Sequence, residues 1–438
     1  MITKIKGTQD IIPKDIRLWQ KLEEVVRRVS KLYNYTEIRT PIFEASELFH
    51  RGVGETTDIV KKETYDFLDR GGRSLTLRPE GTASIMRSVI ENKLYSSMPL
   101  PLKLFYYGPM FRYERPQKGR QRQFHQFGAE AIGSDNPLVD GELIAFATTF
   151  LFALGIRDVV VKINSLGDQE SKEKYHSRIL EYLKPRIGEL CQDCQRRHLE
   201  NPLRVLDCKV DKDNPVLLEA PKPLDSLSDQ AKQHFDKVIG YLKALGVNYE
   251  IDKNLVRGLD YYTHTVFEIE ADLETLGAQA TLCGGGRYDG LSETLGGPKL
   301  PSMGFSFGIE RLLLALESFD FYPGLDRIDA YLIVLGDQAR FAGAAIAESL
   351  RRGGLVIDYD YGERSIKGQF NQGEKLNPRY FLIFGEDEYA SGAINVKNAK
   401  TGVQERIELQ DLYRHLVNAI QSDYSGCTGN CQNCEDDC

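Results

Sequence analysis

The sequence has no long apolar run, so no membrane-spanning helix is expected. Its first ten residues lack the charged-then-apolar pattern of a secretory signal, which makes a cytoplasmic location the default expectation. The common phosphate-binding loops are missing as well. There is no G-x-x-x-x-G-K-[ST], and Gly52-Val53-Gly54 meets Thr57 where a dinucleotide fingerprint requires a third glycine. A nucleotide would therefore be held by charged side chains and not by a glycine loop at a helix end. Basic charge is in short supply overall: the formal net charge is -8, which argues against a protein that coats nucleic acid nonspecifically.

Against that acidic background one basic stretch stands out. Between Arg112 and Arg122 lie five cations, Arg112, Arg115, Lys118, Arg120 and Arg122, and the single anion Glu114. Phe111 and Phe124 bracket them as candidate stacking faces. Arginine suits phosphate, because its planar fork stays charged and grips two oxygens at once. A solvated hairpin is the plainer reading of the same run.

The 438 residues suffice for two or three domains. Residues 13–33 read as a helix, with Ile16, Trp19, Leu22, Val25, Val26, Val29 and Leu32 at spacings of three and four and Pro13 at the start. Residues 102–107 and 124–132 read as strands flanking the basic run, and 143–154 as an apolar helix. Residues of about 165–250 are polar and Lys/Glu-rich, and read as an inserted helical module. Strand-like, glycine-rich sequence returns over 255–308, so the core, residues 1–325, is split by an insertion. Alternating strands and helices over 327–425 indicate a separate small α/β domain, and residues 426–438 form a cysteine-rich tail.

Three further segments are ambiguous when taken singly. In Leu255-Val256-Arg257-Gly258-Leu259-Asp260-Tyr261-Tyr262 an arginine sits in an apolar, strand-like context. A buried arginine needs a carboxylate or a ligand anion, and Asp260 is the evident internal candidate. Cys283-Gly284-Gly285-Gly286-Arg287-Tyr288-Asp289-Gly290 permits close backbone approach by a ligand or a neighbouring strand. Arg311 falls in the first turn of a helix after Gly308, where a cation opposes the helix dipole; this points to a bound anion, or to an ion pair with Glu310 or another carboxylate.

The eight cysteines fall in two clusters plus Cys283. Cys191-x2-Cys194 lies near His198 and Cys208, and Cys427, Cys431, Cys434 and Cys438 end the chain. In a cytosolic setting these read as metal ligands or free thiols before disulfides.

Taken together, the segments resemble a known family. Arg112 with Glu114 resembles motif 2 of class II aminoacyl-tRNA synthetases. Residues 304–311 resemble motif 3, and residues 37–47 with Pro41 resemble the dimer-forming motif 1. Within that class three stretches resemble the histidyl-tRNA synthetases: Leu255 to Tyr262 as quoted, Thr76-Leu77-Arg78-Pro79-Glu80-Gly81-Thr82, and Arg122-Gln123-Phe124-His125-Gln126-Phe127-Gly128-Ala129-Glu130. The resemblance covers residues 1 to about 416.

The resemblance implies an α+β catalytic core, an antiparallel sheet flanked by helices, with a helical insertion and a C-terminal α/β anticodon-binding domain. It implies a homodimer that takes L-histidine, ATP with Mg²⁺, and tRNA(His), forms histidyl-adenylate, and passes histidine to the tRNA 3′ end. On this likeness Arg112 and Arg257 hold the α-phosphate, Glu114, Arg120, Phe124 and Arg311 complete the ATP site, and Phe124 stacks on adenine. Glu80, Gly81, Thr82, Arg112, Gln126, Glu130, Arg257, Tyr261 and Tyr262 bind histidine. Arg115 and Gln117 meet the tRNA acceptor end, where the family commonly reads an extra 5′ guanosine. The spacing of Cys191, Cys194, His198 and Cys208 permits zinc, but the family has no general need of it, so unmetallated cysteines are expected. For the tail, metal binding, a redox pair and a mobile end all stay open. The rival reading is the non-catalytic regulatory subunit of ATP phosphoribosyltransferase. Those relatives generally lack the anticodon domain and depart from the arginine-containing signature.

Overall fold

The computed structural model describes residues 1–54, 57, 59–206, 208, 210–273, 280–317, 319, 321 and 327–425; the cysteine-rich tail lies outside them. Packing divides the chain into two units, Met1–Phe321 and Tyr322–Cys438.

The strands of the first unit are β1 (Thr36–Glu37), β2 (Phe43–Ala45), β3 (Tyr65–Leu68), β4 (Ser74–Leu77), β5 (Leu102–Phe111), β6 (Gln123–Ile132), β7 (Val159–Ser165), β8 (Tyr249–Ile251), β9 (Thr263–Ala271), β10 (Thr281–Arg287) and β11 (Ser302–Gly308). Eight of them form one sheet in the order β1-β5-β6-β11-β10-β9-β7-β8. The central neighbours are antiparallel, while β1 on β5 and β8 on β7 are parallel. The sheet is thus mixed, antiparallel where the site lies and parallel at both edges. The strands β2, β4 and β3 make a separate small antiparallel sheet.

The helix Pro137–Ala153 explains why this sheet holds. It starts cleanly, with Asn136 Oδ1 accepting from the Leu138 amide at 2.9 Å and Pro137 in the first turn. Apolar on nearly every side, it has to be buried. Leu143, Ile144, Phe146, Phe150 and Leu151 pack into the core with Val25 and Val29 of the helix Pro13–Leu32 and with Phe127, Phe305 and Phe307 of the sheet. The aromatic rings interlock, with Phe127 4.8 Å from Phe150 and stacked 5.9 Å from Phe307.

The inserted module has its own small core of Tyr175, Ile179, Leu183, Leu190, Val205 and Leu217 among others. The helix Asp229–Ala244, which sequence reading grouped with that module, buries Phe235, Val238 and Leu242 in the main core instead. The segment read as strand-like before Tyr262 also differs: it forms turns and loop leading into β9, so its arginine reaches the site from a loop.

The second unit contains β12 (Ala330–Val334), β13 (Ile357–Tyr359), β14 (Tyr380–Phe384), β15 (Ala393–Asn398) and β16 (Gln404–Glu408) in the order β13-β12-β14-β15-β16. The first three run parallel and the last two antiparallel. Helices Asp337–Arg352 and Leu412–Ser425 bury Ala339, Ala347, Leu350, Leu412 and Leu416 against Leu332, Leu382 and Ile394. Sequence reading missed β16 because this edge strand is almost wholly exposed and shows no apolar alternation.

Candidate active site

A cavity of about 630 Å³ lies over the middle of the large sheet. Of the residues singled out in the sequence, Glu80, Thr82, Arg112, Glu114, Arg120, Phe124, Gln126, Arg257, Tyr261, Tyr262 and Arg311 line it. They come from the loop before the helix Thr82–Glu91, from β6 and the loop preceding it, from the loop before β9, and from the helix Ile309–Leu316. Size alone would not have chosen this cavity. Another of about 680 Å³, beside β7 and β9 and lined by Thr148, Phe152, Lys162, Val247 and Glu270, gathers none of those residues.

The floor is a closed polar network. Glu130 stands on β6 between Leu104 and Gly304, fully buried behind the lining residues Thr82 and Tyr288 and not itself among the lining. The Thr82 hydroxyl donates to its Oε1 at 2.7 Å, and the Tyr288 hydroxyl donates to its Oε2. Burial pushes the Glu130 carboxyl up to about 8, although the Tyr288 and Thr82 hydrogen bonds pull the other way; the Glu80 charge adds to the rise. A Cβ on Gly304 would lie 1.6 Å from Glu130 Oε2, so only glycine leaves this carboxylate its place. Glu80 is buried too, and accepts from the amides of Thr82 at 2.7 Å and Ala83 at 2.9 Å at the start of the helix Thr82–Glu91. Burial raises its carboxyl, and those amides offset part of the rise. Gly81 sits between these two residues, next to the cavity and not among its lining. Gln126 is nearly buried, and its Oε1 accepts no hydrogen bond from the protein. An acceptor left open at this depth is a costly vacancy unless a ligand donor meets it.

The wall opposite carries Arg257. It pairs with Glu268, not with Asp260, which instead accepts from Asn201 Nδ2 at 2.8 Å. Asp260 lies close to Arg257 in sequence, but the fold brings β9 directly beneath the arginine. Glu268 Oε2 also accepts from Thr281 Oγ1 at 3.0 Å. Burial works against the Arg257 charge, and Glu268 more than offsets it, so the guanidinium is held charged. A Cβ on Gly284 would come within 2.2 Å of Arg257 Nη2; the glycine run of β10 is what admits the guanidinium. Tyr261 and Tyr262 pack against each other with tilted rings, their centroids 4.8 Å apart.

At the rim the arginines are held more loosely. Arg112 Nε donates to the Pro79 carbonyl at 2.9 Å, and its guanidinium lies 5.4 Å from the Phe124 ring centroid. Glu114 reaches Arg112 only at 3.9 Å and Arg120 at 3.5 Å. Arg311 donates to the Thr281 carbonyl at 2.8 Å, while Glu310 accepts from the His125 backbone amide at 2.9 Å and lies 3.0 Å from its ring Nδ1. The Glu310–Arg311 ion pair allowed by the sequence is therefore not made. Burial, and after it the nearby Arg120, disfavour the charge on Arg311, while Glu114 and Glu268 favour it. Beyond the rim, Arg115 and Gln117 sit exposed on the hairpin tip, outside the cavity. Gln117 and Arg120 close that tip through paired backbone hydrogen bonds of 3.1 and 2.9 Å.

Several participants were not singled out by sequence reading. Glu268 and Tyr288 complete the Arg257 and Glu130 contacts, Tyr106 forms part of the lining, and Arg204 reaches the lining from the inserted module. Tyr288 stands two residues after the glycine run, within the segment read for close backbone approach, so a signal was present; Glu268 is an ordinary strand glutamate and gave none. Of the proposed metal set, His198 turns away, its Nδ1 2.5 Å from the Gln195 carbonyl. Asp211 takes its place beside Cys191, Cys194 and Cys208.

A mixed sheet, antiparallel at its centre, that carries an arginine-lined cavity and is joined to a separate α/β unit is the architecture of a class II aminoacyl-tRNA synthetase. The comparisons carry this further. A family model described as histidyl-tRNA synthetase matches residues 7–312, and one described as an anticodon binding domain matches 329–419. The chain is 51% identical over 418 residues to a histidine–tRNA ligase of Bacillus licheniformis, covering 95% of this chain and 99% of that one. The crystal structure of apo Staphylococcus aureus histidyl-tRNA synthetase matches with a TM-score of 0.81 at 41% identity, over 95% of this chain and 100% of the other. A structure titled as an ATP phosphoribosyltransferase regulatory subunit/histidyl-tRNA synthetase, from Bacillus halodurans, matches at 22% identity with a TM-score of 0.63 over 88% of this chain and 98% of the other, and shows the shared fold alone. The chain belongs to the histidyl-tRNA synthetase family, and it is an enzyme of the aminoacyl-tRNA synthetase kind.

Proposed function

We propose that this cavity activates L-histidine with ATP and that the chain then charges tRNA(His). The observation that carries the reading is the pairing of a buried polar floor with an arginine-rich rim in one cavity. In the first step a histidine carboxylate oxygen attacks the α-phosphorus. A P–O bond forms, the bond to the bridging oxygen breaks, and pyrophosphate leaves. The carboxylate is already ionised at neutral pH, so the step requires no protein base. What it requires is in-line positioning and stabilisation of developing charge. Arg112 and Arg257 face the α-phosphate, Arg120 and Arg311 the β- and γ-phosphates, and Phe124 stacks on adenine.

Glu130 and Tyr262 take the imidazole nitrogens, with Tyr261 adjacent. Glu80, Thr82 and Gln126 take the ammonium, and the open Gln126 Oε1 supports that role. Such a site rejects amino acids that leave its buried polar groups unpaired. Glu114 and Glu310, which line the cavity, would hold Mg²⁺ through carboxylate oxygens of the hard kind it prefers, and the ion would supply positive charge to the phosphates. In the second step a 3′-terminal ribose hydroxyl of tRNA attacks the adenylate carbonyl and AMP leaves. Arg115 and Gln117, exposed at the hairpin tip, are suited to base edges at the acceptor end.

A homodimer is part of the proposal. The small sheet exposes Ile42, Phe43, Phe67 and Leu68, an apolar strip that a second copy would cover. No helix among the described residues is long and apolar enough to cross a membrane, and a cytoplasmic location is proposed with the family role. The test is ATP–pyrophosphate exchange across all twenty amino acids. Exchange with histidine alone is expected; exchange with another amino acid, or with none, refutes the reading.

A further inference from the structure

We propose that Cys191, Cys194, Cys208 and Asp211 form a closed zinc site that knots the inserted module beside the cavity. One ligand atom from each of the four lies within 4.8 Å of every other. Cys191 Sγ and Cys208 Sγ are 3.7 Å apart, and Cys208 Sγ lies 3.6 Å from Asp211 Oδ2. A tetrahedral zinc with bonds of about 2.3 Å to sulfur sets its ligand atoms about 3.8 Å apart, close to the 3.7 and 3.6 Å separations of these two pairs. A disulfide would need sulfurs about 2 Å apart and would leave a third thiol and the aspartate without purpose.

The four residues are spaced as two short pairs, Cys-x2-Cys and Cys-x2-Asp. In the second, the Asp211 amide donates to Cys208 Sγ at 3.4 Å; across the pair, the Cys191 amide donates to Asp211 Oδ2 at 2.9 Å. Amide donors directed at sulfur and carboxylate stabilise the anionic, metal-binding forms of those groups. Three thiolates with one carboxylate select zinc among the common ions, and a set of four protein ligands leaves no open position for catalysis. Cys194 and Cys208 are buried within the module's small core, whose few apolar residues are the kind that need a staple.

The location gives the knot a purpose. Cys191 precedes the helix Gln192–Glu200, which leads to Asn201 and the turn Pro202–Val205. Asn201 donates to Asp260 in the loop bearing Arg257, Tyr261 and Tyr262, and Arg204 lines the cavity. A metal fixing one end of this short path holds its other end against the histidine-binding wall. That consequence rests on the proposed function; the metal site itself does not.

The test uses the full chain with the tail thiols removed by Cys427→Ser, Cys431→Ser, Cys434→Ser and Cys438→Ser, purified without metal resins. Zinc content of about one per chain, and thiolate-to-metal charge-transfer bands after exchange with Co²⁺, are expected. Cys208→Ser and Asp211→Ala should each lower retained zinc at least roughly tenfold in a chelator competition. If Cys208→Ser fails to fold, the cobalt spectrum of the parent still decides. Absent zinc and absent charge-transfer bands overturn the site, as does a Cys191–Cys208 disulfide found by mass spectrometry or zinc content indifferent to both substitutions. Stripping zinc should raise the KM for histidine severalfold and readdition should restore it; an unchanged KM overturns the buttressing role. A zinc-loaded chain that fails to exchange with histidine would count against the proposed function and not against the metal site.

Discussion

The floor of the cavity and its rim solve opposite problems. On the floor, Glu130, Thr82 and Tyr288 satisfy one another at hydrogen-bond distance before any ligand arrives. On the rim, Glu114 stands 3.5 Å from Arg120 and 3.9 Å from Arg112, and Arg120 and Arg311 bring like charges close. A preorganised floor suits a small rigid ligand whose donors must be read, because misplacement leaves buried groups unpaired. A loosely tied set of cations suits a polyanion that supplies the missing charge itself. The hairpin tip is a third case: exposed, outside the cavity, and free to meet a macromolecule.

The comparison predicts a graded series of losses. The largest should follow Arg257→Ala, which removes the wall cation and strands Glu268: exchange should fall roughly 10³-fold, and a near-normal rate would remove Arg257 from the chemistry. Next comes Glu130→Ala on the floor. It should cost roughly 10²-fold in kcat/KM for histidine while leaving the KM for ATP nearly unchanged, so retained histidine-dependent exchange refutes its role. On the rim the pattern should invert. Arg311→Ala should raise the KM for ATP roughly 30-fold and change the KM for histidine little; equal effects on both would erase the distinction drawn between floor and rim. At the tip, Arg115→Ala combined with Gln117→Ala should slow aminoacylation of tRNA about tenfold and spare exchange altogether. Impaired exchange in that double variant would move the tip into the ATP site.

The smallest effect concerns pH. Folding raises the Glu130 carboxyl from its ordinary 4.5 to about 8, so between those values the folded state binds more protons than the unfolded state. The stability associated with this proton is fully present below 4.5 and is lost as pH rises through about 8. Unfolding of the ligand-free protein by urea should therefore show stability declining with pH across that window. Glu130→Gln should flatten the decline, by at most roughly 1.4 kcal/mol per pH unit. An unchanged slope would mean that Glu130 titrates normally.

Much of the site was legible as residue types at short spacings. The loop before β9, the segment ahead of the helix Thr82–Glu91 and the start of β6 each carry their signal in contiguous residues, and Arg112, Arg120 and Arg311 declared themselves as cations in positions that call for an anion. Misreadings arose where a neighbour in sequence was preferred to a neighbour in space. Asp260 was three residues from Arg257, yet Glu268 is the partner observed. His198 lay close to the thiols in the chain, but its helix carries it away while Asp211 returns to them.

What the sequence determined by itself was therefore local: the helix Pro13–Leu32 through its spacing, the strands flanking the basic hairpin, the glycines that let side chains in, and the chemistry each segment could perform. What only the tertiary structure decided was which segments meet. Burial makes an unpaired charge costly, but the chain can satisfy that demand with any residue the fold brings near, however distant in sequence. Register between β6 and β11 set Gly304 beside Glu130, the loop before β9 brought Arg257 against Gly284, and no spacing along the chain encodes either.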